Sequence, residues 1–327
     1  MMTAMLKRWS GTSTAAVFCA AFIAAGSPAH ALTKLNVGKS IATNFAMLPV
    51  NVGQEVGIFQ KHGLDLHIVD FHGAAKLVQG IAAGAVDIGL GSGPQLAFIA
   101  KGAPQIGVAA FANAPRTIML VVNKDGPVKT VNDLKGRTVS CSTVGSLTNW
   151  LGHELSRHMG WGTDGIKITP LGSMASQTAA LETHRIDGMV VESTTAFKAE
   201  EAGFGKILVR FGDRYKHFIV HVIYASKSIA AQHPDQIRAF LAAWFETVDY
   251  MNSHKEKTIE IAEKVADMSP SIAEKSYDEL MPMINRKGNF DPQGLAVLAK
   301  SFVDMHILPK EPNMSELYTE KYLPNAK

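Results

Sequence analysis

A strand–helix–strand unit that occurs twice, about a hundred residues apart, is the feature that most constrains how this chain can fold. In the first copy, 64–69 reads as a strand and Gly73 precedes an apolar-periodic helix at 74–83. Val86-Asp87-Ile88-Gly89-Leu90 then forms a short apolar strand running into Gly91-Ser92-Gly93. In the second copy, 166–171 leads through Gly172-Ser173 to a helix at 174–183 and then to Ile186-Asp187-Gly188-Met189-Val190-Val191. Strands alternating with helices of this length build mostly parallel sheets with helices on both faces. Two copies predict two α/β lobes, since a solenoid needs a shorter period and more repeats.

Around the copies, 117–122 reads as a strand, 123–127 as a turn and 138–142 as the first strand of the second lobe. Residues 218–224 read as a return strand. From Pro234 the pattern is helical, with Ile237, Phe240, Leu241, Trp244, Phe245 and Val248 on one face. The chain is therefore expected to cross between lobes near 115 and near 221. Residues 32–115 with 222–327 would form the first lobe, and 116–221 the second. Ligands of open parallel sheets bind at the carboxyl ends of the strands, so two facing lobes predict a cleft between them, with hinge closure as its motion.

The amino end predicts export. Lys7 and Arg8 precede a charge-free apolar run at 15–25, Ser27-Pro28 break it, and Ala29-His30-Ala31 has the small residues a signal peptidase reads. The run is about half the ~20 residues of a membrane-spanning helix. Cleavage near Ala31 would leave a periplasmic chain starting near Leu32. Loss of the leader removes Cys19, Lys7 and Arg8, so 32 basic against 29 acidic side chains becomes 30 against 29, a net charge of about +1. That balance, without a basic run, argues against nucleic acid as a partner. Cys141 remains without a disulfide partner and reads as a small buried hydrophobe. His153 and His158 are five apart, which puts them on different helix faces, and Gly89-Leu-Gly-Ser-Gly-Pro94 is too short for a dinucleotide loop. Neither a metal nor a cofactor is expected.

The segments 55–65 (EVGIFQKHGLD) and 80–89 (GIAAGAVDIG), with Leu134-Lys-Gly-Arg-Thr-Val139, Thr143-Val-Gly-Ser146 and Leu171-Gly172, resemble the nitrate/sulfonate/taurine-type substrate-binding proteins of ABC importers. That NMT1/THI5-like family shares its fold with receptors for thiamine-pyrimidine precursors. The resemblance covers about 35–225. It implies a two-lobed type 2 periplasmic binding protein that performs no chemistry, works as a monomer, binds a sulfonate, carboxylate or pyrimidine-like molecule, and delivers it to permease and ATPase subunits at the inner membrane. An exported receptor for a membrane sensor would look the same. Pyrimidine synthases of this fold are intracellular and cysteine-rich, which the leader and the single remaining cysteine contradict.

Candidate ligand-binding residues lie where strands end and helices begin. Ser142, Thr143, Gly145 and Ser146 form a strand-to-helix loop whose amides would be open to an acidic or carbonyl group, with Gly145 allowing close approach. Ser92 occupies the matching loop of the first lobe. Ser40, Asn44 and Phe45 follow the first strand, the last two offering an amide and an apolar wall, and Gly73 starts a helix at the cleft. Glu192 stands where Ser92 stands in the other copy. A carboxylate there favours a ligand with an amine or N–H donor over a simple inorganic anion such as nitrate, unless Lys198 or a lobe-closure partner pairs with it. His221 lies near the second crossing.

Overall fold

The computed structural model describes residues 31–215 and 217–325; the expected leader, but for Ala31, lies outside them. Among the described residues, ten strands form two five-stranded sheets. The first contains β1 (Thr33–Lys39), β2 (Leu64–Asp70), β3 (Ile88–Ser92), β4 (Gln105–Asn113) and, from far along the chain, β10 (Ile219–Ser226), in the order 2-1-3-10-4. The second contains β5 (Ile118–Asn123), β6 (Thr138–Cys141), β7 (Lys167–Pro170), β8 (Gly188–Glu192) and β9 (Gly205–Arg210), in the order 7-6-8-5-9. The two orders are equivalent. In each sheet the fourth strand, β10 or β5, runs antiparallel to its neighbours. This is the two-lobed α/β architecture that the duplication predicts.

The duplication extends to burial. Helices Ala74–Ala82 and Met174–Glu182 stand 100 positions apart, and the buried and exposed positions of 81–100 recur one for one over 181–200. The repeated aspartates lock the sheets. Asp87 Oδ2 accepts the Asn36 N–H at 2.9 Å, and Asp187 Oδ2 accepts the Thr138 N–H at 3.0 Å. Each aspartate N–H in turn donates to the carbonyl of that same partner. Central strands β3, β5, β8 and β10 are buried at every position, which is why they read as mostly apolar runs without polar alternation. Each fully buried Val, Ile or Leu there contributes roughly 1.5–3 kcal/mol.

Two boundaries differ from expectation. The return strand lies in the first sheet from Ile219 onward, so the chain crosses back between Arg210 and Ile219 instead of near 221, and His221 belongs to the first lobe. The tail also does not pack wholly on the first lobe. Helix Pro270–Leu280 is tied to the second by ion pairs from Arg210 (2.6 Å) and Arg116 (3.6 Å) to Glu279, and by a Ser276–Thr194 hydroxyl contact. Its other face anchors to the first lobe through Tyr277, whose hydroxyl donates to the Met251 carbonyl in helix Pro234–Ser253. That long helix buries the predicted stripe except Phe245, which is half-buried. No described helix is long and apolar enough to cross a membrane.

Candidate functional site

The carboxyl ends of β1, β3, β6 and β8 meet at the seam between the sheets, and each delivers one residue to the same place. Ser40, Ser92, Ser142 and Glu192 line one cavity of about 20 Å3, together with Asn44, Ser146 and His221. All seven are buried. Three of the four strand-end residues are serines and the fourth is an acid, while Ile41, Ala74 and Leu147 supply apolar wall between them. Its two central members, Ser92 and Glu192, are the equivalent positions of the duplication.

Most polar atoms around the cavity are held by the protein. The His221 Nε2 stands 3.4 Å from the Asn44 amide nitrogen, and its Nδ1 3.3 Å from the Gly91 carbonyl. An amide N–H only donates, so Nε2 accepts and Nδ1 carries the proton, which is the neutral ring. Burial lowers the His221 pKa to about 4, partly opposed by the Gly91 carbonyl, and agrees with that tautomer. Phe111 stacks on the ring at 5.3 Å, and the Tyr224 hydroxyl donates to the Ser92 carbonyl at 2.6 Å.

Two atoms are left over. Glu192 Oε2 and Ser92 Oγ are buried without a hydrogen-bond partner among the described residues. Lys198 does not serve Glu192; its ammonium donates to the carbonyls of Ala266 and Asp267. Burial raises the Glu192 pKa to about 7, partly countered by its own backbone N–H. An unpaired buried carboxyl oxygen costs on the order of 1–3 kcal/mol, so the site carries an unmet demand for a donor.

The Ser142–Ser146 loop differs from expectation in its amides. The Ser142 N–H donates to Thr148 Oγ1 (3.0 Å), the Gly145 N–H to Asn149 Oδ1 (3.0 Å), and Ser146 Oγ caps the helix at the Asn149 N–H (3.2 Å). Thr148 Oγ1 also contacts the hydroxyls of Ser142 and Ser146. Helix Leu147–His158 thus satisfies two of the amides expected to be open, and the loop faces the cavity with hydroxyls.

Four candidates lie off the cavity. Phe45 packs into the core at the start of a short 3-10 turn capped by Asn44. Gly73 and Thr143 meet across the seam: a Cβ on Gly73 would lie 2.5 Å from Thr143 Oγ1. Gly145, at φ +75°, turns away from the cavity, and a Cβ there would stand 2.9 Å from the Phe98 ring. Two supporting residues went unread in the sequence. One is Thr148. The other is Lys39, a buried ammonium paired with Asp70 at 3.1 Å, which donates to Ala42 O and Asn51 Oδ1 and so fixes the loop carrying Ser40. A lysine at the end of the first strand, with an aspartate at the end of the neighbouring one, was the available signal.

Residues 44–258 match the family model described as NMT1/THI5 like. Among curated proteins, the putative binding protein YtlA of Bacillus subtilis is 23% identical over 86% of this chain and 89% of its own length. A putative thiamine biosynthesis protein of Haemophilus influenzae is 21% identical over 90% and 94%. The periplasmic aliphatic sulphonate binding protein SsuA of Escherichia coli superimposes with a TM-score of 0.72 at 20% identity, over 88% of this chain and 92% of that one, which establishes a shared fold. Because the match runs from the first cavity loop through both sheets and into the tail, the chain belongs to the NMT1/THI5-like family.

Proposed function

We propose that this protein is a periplasmic solute receptor whose polar cavity grips the N–H-bearing end of a small organic molecule and hands it, chemically unchanged, to an ABC-type permease. The observation that carries the reading is the pair of buried, unpartnered atoms Glu192 Oε2 and Ser92 Oγ, one from each sheet, at one seam. A carboxyl group and a hydroxyl together accept from an amine, an amidine or an aminopyrimidine. They suit a small inorganic anion poorly. A cavity of about 20 Å3 has room for on the order of one water, so an organic molecule enters only when the lobes part. Binding without covalent chemistry is supported by Cys141, whose thiol is pushed up to about 12 by burial and is no nucleophile. Export is supported by the leader pattern; recovery of native protein with Met1 intact would sink it.

A thermal-shift screen of amines, aminopyrimidines, sulfonates and small carboxylates tests the reading. A compound at a hundred times its Kd adds about 2.7 kcal/mol of stability. The expected binder carries N–H donors and loses at least tenfold in affinity, about 1.4 kcal/mol, with Glu192→Gln. A tight binder without donors whose affinity survives Glu192→Gln would overturn the assignment.

A further inference from the structure

A second, larger chamber lies on the same seam. The loop that points Ser142 and Ser146 at the polar cavity turns Val144 and Gly145 toward a space of about 430 Å3. Its walls come from three parts of the chain: Phe98 and Lys101 of the first lobe, Val144 and Ile168 of the second, and Met305 with Ile307 from the tail. A volume of this size falls within the roughly 300–1,000 Å3 typical of small-molecule sites, whereas the polar cavity lies far below it.

The chemistry of the walls is that of an apolar slot with a positive rim. Most lining side chains are aliphatic or aromatic. Val144 is 66% exposed, one of few large hydrophobic residues so exposed among those described. Lys101, which ends the Leu96–Ala100 helix, has no ion-pair partner among the described residues. His153 and His306 also line the space; the His153 Nδ1 is taken up by the Thr163 carbonyl at 3.0 Å, with exposed Asp164 3.8 Å away. Among the described residues, no carboxylate lines the chamber. An apolar body would be covered by Phe98, Val144 and Ile168, while an acidic end meets Lys101.

We propose that this chamber is a second binding site, for an amphipathic organic anion with an aliphatic or aromatic body and a single acidic group paired with Lys101. It stands on the chamber alone and is independent of what occupies the polar cavity. Because both lobes wall the chamber, its occupant favours the arrangement in which they are in contact.

Titration calorimetry with octanoate tests the site on the full exported chain. Octanoate binds the parent, while octylammonium, with the same body and the opposite charge, binds at least tenfold more weakly. Val144→Trp fills the chamber from an exposed position and weakens octanoate at least tenfold; Lys101→Glu does the same by charge. Glu192→Gln, in the polar cavity, leaves octanoate affinity within about twofold of the parent. The proposal is overturned if octanoate does not bind, if it binds Val144→Trp and Lys101→Glu as it binds the parent, or if Glu192→Gln abolishes binding while the chamber variants do not.

Discussion

Glu192 and His221 face one cavity, and burial pushes them in opposite senses, the acid up to about 7 and the imidazole down to about 4. Each is therefore held neutral over part of the pH range in which it would be charged in water. For Glu192 the folded pKa exceeds the unfolded one, so its contribution is full below about pH 4.5 and is lost as pH rises toward 7. For His221 the folded pKa is the lower, so its contribution is full above about 6.5 and is lost as pH falls toward 4. The two oppose each other between these limits and flatten the pH dependence of the parent. Glu192→Gln removes only the first. Urea unfolding at pH 5 and pH 8 should show the variant gaining on the parent by on the order of 2–3 kcal/mol at the higher pH. An equal difference at both values would mean that Glu192 is not the buried titrating group. That a carboxyl group stands at this spot was legible because the duplication equates 192 with 92. That its partner is missing was not, because Lys198 is close in sequence and only the fold sends it to the carbonyls of Ala266 and Asp267.

At the scale of elements, period and repeat carried most of the information. Helices Ala74–Ala82 and Met174–Glu182 begin where the glycine and serine signals place them, and both aspartates occupy one structural role. That role is testable without any ligand. Asp187→Ala leaves the Thr138 N–H without its acceptor and removes the Arg137 contact at 3.6 Å, so a loss of about 1–3 kcal/mol is expected in urea unfolding. Asp87→Ala should cost a similar amount, and wild-type stability in both would show that the strand locks carry no weight. The return strand was harder to place. Ile219–Ser226 is buried along its whole length, so it lacks the alternation that would say which sheet it joins or where the crossing before it ends. Helix Pro270–Leu280 divides its faces between the lobes, and an amphipathic period reports a buried face without naming what buries it. The Ser142–Ser146 loop failed for a different reason: its amides are claimed by Thr148 and Asn149, side chains whose reach back into the loop depends on helix geometry.

The whole molecule is held in contact at a point where neither lobe has room to spare. Gly73 has φ +114° and ψ 162°, a conformation essentially restricted to glycine, and its Cα hydrogen faces Thr143 across the seam. With two crossings of the main chain and one bridging helix, the lobes are joined on a hinge side, and the 73–143 contact lies between the two cavities: Ala74 borders the small one and Ala75 the large. Gly73→Val would add a branched side chain 2.5 Å from the Thr143 hydroxyl, so the lobes should be unable to close as far as they do in the parent. Small-angle scattering should then show a larger radius of gyration for the variant. Saturation with a binder found in the screen should contract the parent but not Gly73→Val. Backbone strain at residue 73, about 1–3 kcal/mol, lowers the stability of the variant whatever faces it and moves no lobe. The double variant Gly73→Val/Thr143→Gly separates the two effects, because it keeps the strain and removes all three Thr143 side-chain atoms that lie within 3.0 Å of the added Cβ. If it regains the parent radius while remaining as destabilised as the single variant, closure is limited by the contact between residues 73 and 143. If the radius stays large, the strain itself has displaced the Gly73 loop, and the contact is a consequence of closure instead of its limit.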